Sequence, residues 1–370
     1  MGSQVPLTGL SLLVAMLSRR RLHGGVLALL LVILALSHGT AGVALPFWND
    51  PILIGQAPYE SHYSTLFLNT TNGAYTKGKE LFDILSSDNE LFSFSIVPSR
   101  GGQARAFDPL SGRLYFVAAN KGAIAYRLAW YEISTDTITI AKTDLFSVPL
   151  QMASGLSGLW GIGPSKTGDG GVITSINTET GESLPFIDLP SNITLDLTYS
   201  IPFVVDAVGD VAYVQAFTTK ALAQEVLLAF DLRGKALLFI QNWPFENTLM
   251  FAMDNRVGSS NPHLIYGLNN NLTTNTFNFF QYDGLARAGK YTNHIAKNAQ
   301  NWRGTHAPEC AVCRTMKGDL RFYLIFANQD FTTNYFVTIN GDSGEVLFNT
   351  PLPFSMFVGP LASGLCGWAH

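Results

Sequence analysis

The sequence predicts an all-β chain folded as a β-propeller of about six blades, with seven as the alternative count. Three observations carry that prediction. Hydrophobic residues make up 47% of the chain and charged residues 14%, with 34 glycines and 17 prolines, a composition suited to buried sheets joined by tight turns. A hairpin pattern, two apolar strands around a polar Asp/Asn-Gly turn, returns along the chain at intervals of about 40 to 60 residues, near the spacing of propeller blades. Between these hairpins a second pattern recurs, an aspartate, a turn and a Tyr-centred strand: AFDPLSGRLYFVA (106–118), VVDAVGDVAYVQA (204–216) and, with a longer turn, AMDNRVGSSNPHLIYGL (252–268).

Taken in chain order, the N-terminus has the layout of a secretory signal. Arg19, Arg20 and Arg21 precede the uncharged run GGVLALLLVILAL (24–36), and the small-residue stretch SHGTAGVA follows, predicting cleavage near Ala41 or Ala44. Residues 1–44 are therefore read as a signal peptide with a long leader, for which Met16 is an alternative start, and 45–370 as a single propeller domain. The apolar run is shorter than the roughly 20 residues of a spanning helix, so a retained type II anchor through residues 24–36 is the secondary reading. Secretion makes Asn69, Asn192 and Asn271, each in an N-x-T triplet, expected N-glycosylation sites.

The first hairpin of the mature chain is LFLNTTNGAYTKGKEL (66–81). Five more follow: WYEISTDTITIA (130–141), ITSINTETGESLPFI (173–187), LLAFDLRGKALLFI (227–240), NFFQYDGLARAGKY (278–291) and YFVTINGDSGEVLF (335–348). In each, Asp or Asn with Gly closes the turn, by side-chain bonding to the turn's own backbone and a positive φ. A lone hairpin is marginal, and stacking sheets around an axis buries both faces of each. The Asp-turn-Tyr segments then read as an inner strand, its turn, and the next strand outward. The interval from 81 to 130 is long enough to hold further strands, and TKALAQEVLLAF (219–230) is the best helical candidate, although it runs into a strand pattern. The final stretch, PFSMFVGPLASGLCGWAH (353–370), is strand-like and unpaired, so it is expected to supply the inner strand of the first blade and close the ring through both termini.

The turns NTETG (177–181), INGDSG (339–344) and FDPLSG (107–112) resemble the D-x-x-T-G turn of secreted and periplasmic β-propellers of the YVTN, quinoprotein-like and WD40-like groups. The resemblance spans about residues 50–370 and implies fold alone. The Gly-His and Trp-Asp pairs of WD40 blades are missing, as is a regular tryptophan ring, so no cofactor is carried over.

Asp108, Asp206 and Asp254 are read first as turn formers, with a shared ion-binding ring as the sharper alternative. A hydrolase or cyclase of this fold needs acids and histidines converging on the central channel, often around calcium; Asp206, Asp254, Asn255, His263 and His306 are the residues placed to do so. His306, Glu309, Cys310 and Cys313 form the densest set of metal-ligating side chains, suited to zinc or copper, but no second C-x-x-C or histidine pair accompanies them. With three cysteines in an oxidising compartment, a disulfide from Cys366 to Cys310 or Cys313 is expected first, a local Cys310–Cys313 bridge second. Trp302 and Trp368 are candidates for stacking on sugars.

No G-x-S-x-G, H-E-x-x-H or P-loop pattern occurs, and with a net charge of -4 and no dense basic cluster in the mature region nucleic acid is not an expected partner. The sequence thus favours a secreted, monomeric binding scaffold that presents a loop face to a protein or glycan and needs no cofactor. The alternatives are the propeller hydrolase or cyclase, with calcium or zinc, and the membrane-anchored surface protein.

Overall fold

A computed structural model describes residues 52–352, apart from 60–61, 71–73, 95–103, 109–110, 166–169, 196–201, 207, 220–222, 255–261, 298–301, 304–309, 316–317 and 329–331. All of them belong to one compact unit, Leu45–His370. The strands form six small antiparallel sheets, one per blade.

Blade 1 holds β1 (Ile52–Tyr59), β2 (His62–Asn69) and β3 (Tyr75–Glu80). Blade 2 holds β4 (Ile84–Leu85), β5 (Leu91–Phe94), β6 (Arg105–Asp108), β7 (Arg113–Asn120), β8 (Tyr126–Glu132) and β9 (Thr137–Asp144). Blade 3 holds β10 (Gln151–Gly155), β11 (Gly158–Pro164), β12 (Gly171–Ile176) and β13 (Ser183–Asp188). Blade 4 holds β14 (Ile193–Thr194), β15 (Phe203–Asp206), β16 (Val211–Thr218), β17 (Glu225–Asp231) and β18 (Ala236–Asn242). Blade 5 holds β19 (Thr248–Met253), β20 (Leu264–Asn271), β21 (Thr276–Asp283) and β22 (Ala288–Ala296). Blade 6 holds β23 (Trp302–Arg303), β24 (Cys310–Arg314), β25 (Leu320–Asn328), β26 (Asn334–Asn340) and β27 (Val346–Leu352).

Strands β6, β10, β15, β19 and β24 touch one another in succession and are the innermost of their blades. Moving outward, the second and third strands, such as β16 (VAYVQAFT) and β17 (EVLLAFD), are buried on both faces because a neighbouring blade covers each, hence their continuous apolar runs. Their buried side chains form clusters that each join two consecutive blades. Register explains the Tyr-centred pattern. Tyr115, Trp160, Tyr213, Tyr266 and Tyr323 each pair with a small inner-strand residue, Ala106, Ala153, Val204, Ala252 and Ala311, which leaves room for the ring. Tyr213 then reaches into blade 5, so closely that a Cβ at Gly284 would lie 2.2 Å from its hydroxyl.

The six outermost strands, β3, β9, β13, β18, β22 and β27, share one feature that the hairpin pattern does not display: each has a register shift against the strand it pairs with. Such bulges strengthen twist at a sheet edge. The bulge between β2 and β3 aligns blade 1 with the outer three strands of the other blades. Its innermost position therefore has no occupant among the described residues, and the expected occupant, 353–370, lies outside them.

Turn chemistry follows the sequence reading. In the outer hairpins Asn177, Asp231, Asp283 and Asn340 accept hydrogen bonds from backbone N–H groups two or three residues on. Positive φ falls on the expected glycine at Gly181 and Gly344, but in other hairpins it falls on Asp136, Lys235 and Arg287 instead. Counting gives six blades rather than seven. The 81–130 interval contains β4 to β7 and the start of β8, and the helical candidate at 219–230 resolves to strand β17 over Glu225–Asp231.

Candidate functional site

Strand alternation gives the molecule two loop faces. The lower face carries the turns after each innermost strand and the outer-hairpin turns; the upper face carries the second-to-third-strand turns and the connections between blades.

On the lower face the structure brings together two of the five residues singled out for catalysis, Asp206 and His263. Asp206, at the end of β15, is fully buried; its Oδ1 accepts hydrogen bonds from Val208 N (2.8 Å) and Gly209 N (3.1 Å), and its Oδ2 pairs with Nδ1 of His263 from blade 5. His263 is about a quarter exposed, at 27%. Asp254, at the equivalent place in blade 5, instead faces Arg314 of blade 6, with Nε to Oδ2 at 3.7 Å. His306, Glu309 and Asn255 lie outside the described residues, as does Cys366. Asp108 accepts a hydrogen bond from the Ser111 hydroxyl at 2.7 Å.

Asp210, also buried, continues this series: it accepts from Ser157 N of blade 3 (3.1 Å) and pairs with Arg233 (2.6 Å). Arg113 of blade 2 reaches Glu179 of blade 3 at 3.3 Å. Asp108 meets a donor of its own turn, while Asp206, Asp210 and Asp254 each also meet a group of a neighbouring blade. That is a latch between blades, the use expected of a carboxylate taken out of water. Among the described residues no three His, Cys, Asp or Glu side chains come together as a metal-ligand set.

The cysteines also separate. Cys310 has a free thiol, which desolvation pushes above the ordinary thiol range. Cys313 is fully buried on the same strand. Trp302 is a core residue, stacked on Phe326 at 4.9 Å, and is not available to a sugar; Trp368 lies outside the described residues. Of the N-x-T triplets, Asn192 is exposed, Asn271 is half-buried, and Asn69 is buried.

The upper face of blade 2 holds residues that sequence reasoning missed. Leu85 and Leu91 pair across a hairpin, Phe92 pairs with Asn120, and Ile124 sits in the turn that Asn120 begins. Leu85, Leu91 and Ile124 are 61%, 45% and 85% exposed, with Phe82 beside them in sequence also open to solvent. The loops that carry them are braced. Asn120 Oδ1 accepts from the N–H groups of Ile124 (3.0 Å) and Ala125 (2.9 Å), while its Nδ2 donates to Glu90 (2.6 Å). Below them Arg127, almost wholly buried, donates to Asp144 (2.8 Å) and Asp88 (3.0 Å), approaches Glu90 at 3.6 Å and covers the Phe92 ring. A hydrogen bond from Ser86, followed by that from Arg127, holds the Asp88 carboxyl below the usual range. The signal in the sequence is the SSDNE turn (86–90) between apolar flanks, read only as an interval long enough for strands.

Architecture and turns define the chain as a six-bladed β-propeller. No protein-family model and no curated protein matches it. Among solved structures it is similar to TolB from Acinetobacter baumannii, with a TM-score of 0.51 and 9% identity over 89% of this chain and 69% of that one. A chain of a nidogen–laminin complex matches with a TM-score of 0.47 and 11% identity over 81% of this chain and 92% of that one.

Proposed function

We propose that this protein is a secreted binding scaffold that engages a protein partner through the upper face of blade 2. The observation that carries the reading is the exposed set Leu85, Leu91 and Ile124 on loops fixed by Asn120 and Arg127. Exposed apolar side chains on a preorganised surface lose little freedom on binding, which suits them to serve as anchors. Commitment of Asp206 and Asp254 to neighbouring blades supports a role without catalysis. Secretion rests on the signal-like N-terminus, and Asn192 is the triplet best placed to receive a glycan. A Cys313–Cys366 disulfide is the pairing that fits a free Cys310.

Lys121, exposed in the same turn as Ile124, provides an amine for cross-linking. Cross-linking the tagged protein where it is secreted should join Lys121 to a partner, and Leu91→Glu with Ile124→Glu should abolish that adduct without altering the circular dichroism spectrum. An adduct that survives both substitutions sinks the reading.

The Asp206–His263 pair favours a second reading, a hydrolase in which the carboxylate orients the imidazole as a base. Turnover of any ester or glycoside substrate that is lost in His263→Gln while the fold is kept would select it.

A further inference from the structure

We infer that the outer rim of blade 4 is a self-association surface, where β18 pairs antiparallel with β18 of a second copy. This inference does not depend on the upper-face reading, because the rim and the loop face are separate surfaces.

An outermost strand presents a row of backbone donors and acceptors to solvent, and natural sheets guard such edges with charge or proline. Five of the six edges here follow that rule. β3 carries Lys77 and Lys79, β9 carries Lys142, β13 carries Pro185, β22 carries Lys290 and β27 carries Pro351. β18 reads ALLFIQN, with neither a charge nor a proline, and among the described residues β17 is its one pairing partner. Leu237, Leu238 and Ile240 on it are 41%, 47% and 42% exposed. Leu238 is the extra residue of the bulge, but every edge has a bulge, so the missing charge or proline is what sets β18 apart.

The strand is also held in place before any partner arrives. Phe239 lies under the Arg287 guanidinium at 4.4 Å, Gln241 accepts from the Tyr282 hydroxyl at 3.0 Å, and its amide donates to the Arg287 carbonyl at 3.1 Å. A second copy is the occupant because β18 complements itself. With a two-fold axis at Phe239, Leu238 of one copy faces Ile240 of the other, and every paired position is apolar or neutral. The lower end of the rim carries Lys235 and Arg287, while Arg233 is already paired with Asp210; Glu246 lies exposed beyond the upper end. An antiparallel arrangement brings the basic end of each copy toward the acidic end of the other, and both halves gain equally. The monomer expected from the sequence gives way to a symmetric dimer.

Sedimentation velocity on the purified full-length protein, from about 1 to about 100 µM, brackets micromolar association. The wild type should shift from monomer to dimer, and the Leu238→Lys, Ile240→Lys double variant should remain monomeric. Leu272→Lys, at an exposed apolar position in another loop, should dimerise like the wild type. A wild type that stays monomeric throughout, or a double variant that dimerises normally, overturns the inference. Hydrogen exchange on the wild type needs no substitution: amides of 236–242 should exchange about 10-fold more slowly at the high concentration, as the closed form becomes dominant. Unchanged exchange there also overturns it, as does protection confined to the upper face of blade 2.

Discussion

Replacing Asp206 with alanine separates the latch reading of the lower face from a catalytic one. The side chain accepts from Val208 N and Gly209 N and pairs with His263, so alanine leaves two turn donors and one imidazole without their partner. An unsatisfied buried donor costs about 1–3 kcal/mol, and the lower value applies here because the turn is only partly covered. Two donors and the lost pairing therefore come to about 3 kcal/mol. Asparagine keeps an oxygen for the two N–H groups and loses the charge facing His263, which predicts about 1 kcal/mol. For a chain of this size the melting temperature moves about 2 °C per kcal/mol, so calorimetry should read losses of about 6 °C for Asp206→Ala and about 2 °C for Asp206→Asn. A double-mutant cycle with His263→Ala should return a coupling of about 1 kcal/mol. Equal losses for alanine and asparagine, or a coupling near zero, would refute the latch.

Two further outcomes test the packing and the charge network. Gly267→Ala places a Cβ 2.6 Å from the Met250 carbonyl and 2.4 Å from the Phe280 ring; overpacking of this kind should cost at least about 2 kcal/mol in denaturant titration, whereas Gly170→Ala, which meets nothing within 4 Å, should be neutral. Asp88 has a depressed carboxyl pKa in the folded state, so its contribution is fully present above the unfolded value near 3.8 and is lost as pH falls through the lower folded value. Melting curves between about pH 2 and pH 5 should therefore converge for wild type and Arg127→Met at the acid end, and curves that stay parallel would exclude the Arg127–Asp88 pairing.

Much of the architecture could be read in the sequence because its determinants are local. Asn177 and Asp283 announce their turns within three residues, and the apolar runs of β16 and β17 show burial on both faces directly. The two-sided cores and the number of hairpins then follow from stacking. The site was less legible because its partners come from different blades. Asp206 meets His263 across 57 positions, and that meeting depends on the length of the turn preceding β20, which no local pattern fixes. The Arg127 network, although within one blade, gathers Asp88 and Glu90 from the β4–β5 turn and Asp144 from the end of β9, with Asp88 39 and Asp144 17 positions from Arg127. Trp302 illustrates the opposite failure: a residue type suited to sugars proved to be core, since Phe326 of its own blade stacks on it.

The fit of Tyr213 against Gly284 gives the ring a fixed sequence of neighbours. Gln241 with the Arg287 carbonyl reinforces the same junction, and Arg113 with Glu179 and Asn293 with the Gly344 carbonyl join two other consecutive pairs in the same way. Blades that look interchangeable as repeats are therefore keyed to what comes next. A chain reopened at a different interblade connection keeps every adjacency and can be expected to fold, whereas one with two blades exchanged sets a tyrosine against a residue with no hollow to receive it.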